Sequence, residues 1–318
     1  MGLQTKTISG KEYYYFVLSY YIYNKSKNFN KYIGRKKPSS NKLKQVETKF
    51  KNEIISKLYK KKYSNKLISK DDLIKVALFR DKFNKTYKSL SPIKRKKYDV
   101  DSTIKFTLTT LTTEDVDVDL KDVVNASKKR AANLSTGEEI SKNMLDGIDF
   151  IRKKNTLDEK YLLKLHKIIM SKFETKTPGK FRERQVYLYK HDKEGVKVEI
   201  NYRPPNHKQM LKQLKEQIKW YNTIDLNPLE KAFVAHTELY MTHPFLDGNK
   251  RICRLILNKT LIDNDFPLLN ISTEREEYFD SLIKSTETGK HKAFVEFALQ
   301  KYLRQVKEFL KKNKKISI

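Results

Sequence analysis

The chain has 318 residues, 38% hydrophobic and 33% charged, with a formal net charge of +30. That length supports a sizeable core in one large or two ordinary domains, and 19 Tyr with 16 Phe supply bulk that a disordered chain lacks. One cysteine, Cys253, excludes an intrachain disulfide and a cysteine-rich metal site, while no run of 18 apolar residues and no apolar stretch in Met1 to Ser9 points to a membrane or secretion. A soluble cytoplasmic protein is expected.

Two readings of the positive charge compete. A nucleic acid or anionic membrane is the usual partner of such a charge, but only 12 of the 68 basic residues are Arg, and lysines among so many Asn, Ile and Tyr read as a solvated surface. Clustering is more telling: Arg182, Arg184, Arg203, Arg251, Arg254 and Arg275 all lie in the later part of the chain. Arg is the better anion clamp, because its planar fork is rigid and always charged.

Taken in order, residues 12 to 23 are aromatic and β-branched, and Lys31 to Gly34 adds a second short apolar piece after a polar turn. A β-hairpin is predicted, buried on one face, with base stacking by its tyrosines as the less favoured reading. Residues 40 to 90 turn helical, through Ile54, Ile55 and Leu58 and then Leu73, Val76 and Ala77. Ser91-Pro92 before Lys94-Arg95-Lys96-Lys97 reads as a linker, which divides the chain into an N-terminal α+β module of residues 1–95 and a domain of residues 96–318.

In the second part, Met144, Leu145, Ile148 and Ile151 mark one helix and Leu162, Leu165, Ile168 and Ile169 another. Pro178-Gly179-Lys180-Phe181-Arg182 is a turn. Strand-like pieces at 185–189 and 196–202 form a second hairpin, ended by Tyr202-Arg203-Pro204-Pro205. A helix with Leu211, Leu214 and Ile218 follows, and Asn227-Pro228 caps the next one. Helices then cover about 251–263, 275–285 and 294–311, so the class is mainly α.

The chemistry concentrates in His243-Pro244-Phe245-Leu246-Asp247-Gly248-Asn249-Lys250-Arg251-Ile252-Cys253-Arg254, between two helices. A loop that ends one helix and opens another gathers free N–H groups at a positive helix end, which suits an anion. Gly248 permits close backbone approach, Asn249 adds an amide, and Arg251 and Arg254 lie on one helix side. Two converging guanidiniums suit a polyphosphate. Asp247 suits Mg²⁺, which takes one or two carboxylates plus phosphate oxygens. His243 is the group able to take a proton near neutral pH. There is no Gly-x-x-x-x-Gly-Lys-Ser/Thr loop, so a P-loop nucleotidase is not supported.

At these residues the sequence resembles the Fic family, whose motif HPFx(D/E)GNGRxxR it matches at every specified position but Lys250. The resemblance covers about residues 103–302. It implies a helical core with a hairpin flap, here residues 185–202, that adds a strand to a protein substrate. The reaction implied is transfer of AMP from ATP to a Ser, Thr or Tyr hydroxyl. His243 would be the base, Asp247 would hold Mg²⁺, and Gly248, Asn249, Lys250, Arg251 and Arg254 would bind the phosphates. Many members carry an inhibitory (S/T)xxxE(G/N) helix whose Glu pairs with the second motif Arg. Thr110 to Glu114 matches it with Asp115 in the last place, and Ser135 with Glu139 is a weaker match. Doc-type members, kinases of toxin–antitoxin systems, also read Asn-Lys-Arg but lack the second Arg, which this chain keeps as Arg254. A Doc-like kinase, a de-AMPylase and a nucleic-acid-binding or antitoxin-like module on a degenerate scaffold therefore stay open, as does a homodimer.

Overall fold

A computed structural model describes residues 2–22, 25–62, 67–128, 133–191 and 196–313. It divides into two compact units, one of residues 1–64 and 69–77, the other of residues 65–68 and 78–318. Among the described residues no helix is long and apolar enough to cross a membrane.

The first unit contains an antiparallel sheet of three strands in sequence order, β1 (Gly2–Ile8), β2 (Lys11–Ile22) and β3 (Lys25–Gly34). The expected hairpin is β2 with β3, and β1 is an addition. Alternation along β2 turns Tyr14, Phe16 and Leu18 inward. Phe16 and Leu18 form one buried cluster with Phe50 and Ile54 of α1 (Ser40–Lys62). Lys31 reaches the same helix and pairs with Glu53 at 2.9 Å. The helical stretch expected over 40–90 is two helices, α1 and α2 (Lys70–Ser89), and the division between units falls within α2.

The linker expected at 91–97 is instead a helix start. Ser91 accepts the Lys94 N–H, Pro92 takes the first helical position, and α3 (Pro92–Thr112) runs on through all four basic residues. The proline that reads as a breaker is tolerated there because its missing N–H would have had no partner. A short helix that the sequence reading lacks, α4 (Leu120–Lys128), follows, then α5 (Thr136–Ile151) and α6 (Glu159–Met170). Met144, Ile148, Ile151, Leu162, Leu165 and Ile169 are buried, as their spacing predicts.

Of the second hairpin only β4 (Tyr189–His191) and β5 (Lys197–Glu199) are paired strand, and its turn at 192–195 lies outside the described residues. Leu188 and Ile200 are buried at its base, whereas Tyr187, Tyr189, Val196 and Val198 are exposed. Four helices close the chain after α7 (His207–Thr223): α8 (Pro228–Thr242), α9 (Asn249–Ile262), α10 (Arg275–Thr288) and α11 (Lys292–Lys312). α9 is buried nearly all round, the mark of a central helix. It packs on α8, and α3, α5 and α6 contact it as well.

Candidate active site

The twelve-residue stretch is the connection between α8 and α9. Its first residue, His243, sits past the end of α8 with φ 48° and ψ 61°, a left-handed conformation that few side chains adopt and that costs roughly 1 kcal/mol. Asn249 closes the loop from its other end. Its amide donates to the Phe245 carbonyl and accepts the Phe245 N–H, both at 2.9 Å. The side chain expected to reach a phosphate thus bonds the backbone, and the first N–H groups of α9 are left without helical carbonyl partners. Gly248, at φ 72°, caps that helix; a Cβ there would come within 2.7 Å of Met170 Sδ.

His243 Nδ1 lies 3.1 Å from the Tyr240 carbonyl. A carbonyl only accepts, so Nδ1 carries the proton and Nε2 keeps its lone pair, the tautomer a base requires. Burial, aided by Arg182 and Lys250, pushes the imidazole down to about 4 against the opposing pull of the Tyr240 carbonyl and Glu114. The ring is therefore neutral at pH 7.

Arg182 was grouped with the anion-binding arginines, and the structure corrects this. It is fully buried and gives its donors to main chain: Nε to the His243 carbonyl at 2.7 Å, Nη1 to that of Arg184 at 3.0 Å, and Nη2 to those of Pro205 and Thr242. Its own N–H donates to the Pro244 carbonyl at 2.9 Å. Of the other clustered arginines, Arg203 lies over the Tyr187 ring and Arg275 pairs with Asp115 at 2.6 Å.

His166 of α6 is a positioning residue. Its Nδ1 accepts the Gly179 N–H at 2.9 Å, so Nε2 carries the proton and donates to the Asp247 carbonyl at 3.1 Å. Its ring stacks on Phe245 at 3.8 Å, and burial pushes it down to about 4. The only sequence signal was a polar residue on the apolar face of α6. His236 of α8 is buried against Tyr278 and Phe294.

Asp247 is held by the Gly248 N–H at 2.6 Å, with its carboxylate 39% exposed at a cleft of about 780 Å³. Glu114, Lys250 and Arg251 line the same cleft. Among the described residues no three His, Cys, Asp or Glu gather to hold a metal. One accessible carboxylate beside the cations, Asp247, is enough to fit Mg²⁺, whose remaining ligands would come from phosphate and water.

Glu114, two residues past the end of α3, lies inside this site. Arg251 Nε donates to one carboxylate oxygen at 3.2 Å and Arg254 Nη2 to the other. All three side chains are at most 6% exposed. Burial alone would raise the Glu114 carboxyl, but Arg251, Arg254 and Lys250 outweigh it and hold it below the ordinary carboxylate range. Arg254 also donates to the Thr110 carbonyl at 2.9 Å and to the Tyr278 hydroxyl at 3.3 Å. Thr110 thus contributes its backbone, not its hydroxyl. Asp115 has φ 58°, which explains why Gly or Asn occupies that place in the motif and why Asp is tolerated there. The rival match dissolves: Ser135 is the N-cap of α5 in a capping box with Glu138, and Glu139 pairs with Lys172. Lys250, the residue that departs from the motif, extends over the Phe279 ring at 4.8 Å.

A helical core, this loop and a carboxylate across both arginines make up the site. Residues 156–261 match the sequence profile of the Fic/DOC family. Curated relatives named protein adenylyltransferase include fic-1 of Caenorhabditis briggsae, 33% identical over 125 residues, and Fic of Drosophila erecta, 30% identical over 141. Those matches cover 38% and 43% of this chain but only 22% and 26% of the relatives. Two solved structures share the fold. A Fic family protein from Desulfovibrio desulfuricans G20 has a TM-score of 0.64 at 19% identity, covering 78% of this chain and 76% of that one. Fic-1 from C. elegans has a TM-score of 0.59 at 20% identity, covering 88% and 80%.

Proposed function

We propose that this chain is a protein adenylyltransferase that transfers AMP from ATP to a protein hydroxyl and is held in check by Glu114. The observation that carries the reading is the Glu114 carboxylate bound by both Arg251 and Arg254, because two buried guanidiniums at a helix start call for an anion there. In the active form the triphosphate takes that place. Arg251, Arg254 and the N–H groups opening α9 hold its charge, and Asp247 would hold Mg²⁺, which would offset the rest of that charge.

The substrate hydroxyl loses its proton to His243 Nε2 as its oxygen bonds to the α-phosphorus. The bond from that phosphorus to the pyrophosphate oxygen breaks, and pyrophosphate leaves with the bonding pair. A protein segment would register its hydroxyl by adding to the β4–β5 flap, whose exposed Tyr187, Tyr189, Val196 and Val198 offer side-chain contacts.

Phosphate transfer of the Doc type is the second reading, favoured by Lys250 alone. Its ammonium rests on Phe279, outside the Glu114–arginine contact, and Arg254 is present, so AMP transfer is preferred. ATP labelled at the α- or the γ-phosphate decides. Label retained on protein only from the α-position supports the proposal, and label only from the γ-position overturns it.

A further inference from the structure

The positive charge is unevenly spread. Residues 1–64 hold 16 Lys and Arg against 3 Asp and Glu, a formal +13, whereas the other 254 residues carry +17. Charge per residue is thus about three times higher in the first unit, which a uniform bias toward lysine does not explain.

Within that unit the sheet has two unlike faces. One is covered by α1, through Phe16, Leu18, Phe50 and Ile54. Pairing sets the other: Tyr13 is opposite Lys6, Tyr15 is opposite Tyr32, and Val17 is opposite Asn30. The Tyr32 ring lies 6.2 Å from that of Tyr13 and 5.4 Å from that of Tyr15, and Tyr32 remains 51% exposed. Lys6 Nζ stands 5.1 Å from the centre of the Tyr15 ring, and the Arg35 guanidinium 5.5 Å from that of Tyr13. The one carboxylate in these strands, Glu12, points the other way and accepts from the Tyr14 hydroxyl at 2.6 Å.

Three tyrosines on a pleated face, flanked by cations and without a carboxylate, match the needs of unpaired bases on a phosphate chain. Stacking on aromatic rings contributes about 1–3 kcal/mol per base and is open to every base, while the cations meet the phosphates. An acidic peptide would use the cations but not the rings, and a duplex keeps its base faces stacked inside. A lipid surface calls for a broad apolar face, and here only Val17 and Ile8 stand among tyrosines, lysines and asparagine.

We propose that the outer face of β1–β3 binds a single-stranded stretch of nucleic acid, stacking bases on Tyr13, Tyr15 and Tyr32 and holding phosphates with Lys6 and Arg35. The test uses the full chain and fluorescent oligonucleotides of about 12 residues: single-stranded DNA, single-stranded RNA and duplex DNA, read by anisotropy. Single strands are expected to bind at least ~10-fold more tightly than the duplex, and the tighter of DNA and RNA names the ligand. Tyr15→Leu and Tyr32→Leu keep strand propensity and apolar bulk and are expected to weaken binding about 10-fold each, with Tyr15→Phe near wild type. Lys6→Gln is expected to lower the salt slope by roughly 0.7. Absent binding, equal affinity for duplex, or Leu variants that bind like wild type while retaining the native circular dichroism spectrum would each overturn the proposal.

Discussion

Replacing Glu114 with glycine removes the one carboxylate that both Arg251 and Arg254 contact. Hydrogen bonds to charged groups contribute about 1.5–3 kcal/mol each, so two of them favour the closed arrangement by roughly 3 kcal/mol or more. At ~1.4 kcal/mol per decade, about 1% of molecules or fewer offer both arginines to ATP. Autolabelling with α-labelled ATP, below saturation and with Mg²⁺, should therefore rise on the order of 10²-fold in Glu114→Gly. Glu114→Gln, which keeps an acceptor but not the charge, should fall between. The same change leaves two buried guanidiniums uncompensated, at a cost of about 3–5 kcal/mol. The nucleotide-free variant should melt about 10 °C lower, and ATP with Mg²⁺ should raise its melting temperature more than that of the wild type. Unchanged labelling in a folded variant, or an equal thermal response to ATP, would refute Glu114 as the restraint.

His243→Ala should lower AMP transfer ~10²- to 10⁴-fold, while ATP binding by calorimetry stays within a few-fold of wild type. With the imidazole pushed down to about 4 by burial, the acid limb of kcat/KM should lie below the ordinary histidine value of 6.5. Arg182→Ala strips donors from four carbonyls and should destabilise the fold by about 3 kcal/mol or more, and Arg182→Lys should not rescue it, since an ammonium cannot reproduce the planar fork. Acidification should destabilise the protein below pH ~6.5. His166 and His236 are held below their ordinary values by burial, so between the folded and unfolded values the unfolded chain binds more protons. The His166 contribution is complete above about 6.5 and is lost as pH falls toward 4, about 3 kcal/mol in all, and His236 acts in the same direction. His166→Asn should flatten that dependence in acid melts.

The site was legible where its chemistry is contiguous. From His243 to Arg254 the residue types, the turn glycine and the two helix ends fall within twelve positions, and only the family resemblance, through the match of Thr110 and Glu114 to its inhibitory motif, supplied the distant carboxylate. The parts that were not legible depend on chain folding back on itself. His166 meets Asp247 across 81 residues and Arg182 meets His243 across 61, and neither sits in a pattern that distinguishes it from an ordinary core or surface residue. Strand β1, with Gln4, Thr5, Lys6 and Thr7, is too polar to stand out and exists because β2 offers it an edge. Ser91-Pro92 carries the same signal for a helix start as for a break, and only the helix beyond it decides.

Arg182 has a consequence for how the imidazole can evolve. The side chain that fixes the His243 carbonyl is also a buried positive charge that lowers the basicity of its ring. Placement and proton affinity are therefore joined in one residue. A neutral replacement that made the ring more basic would release the loop that aims it, so tuning of this base has to come from groups that do not touch its backbone.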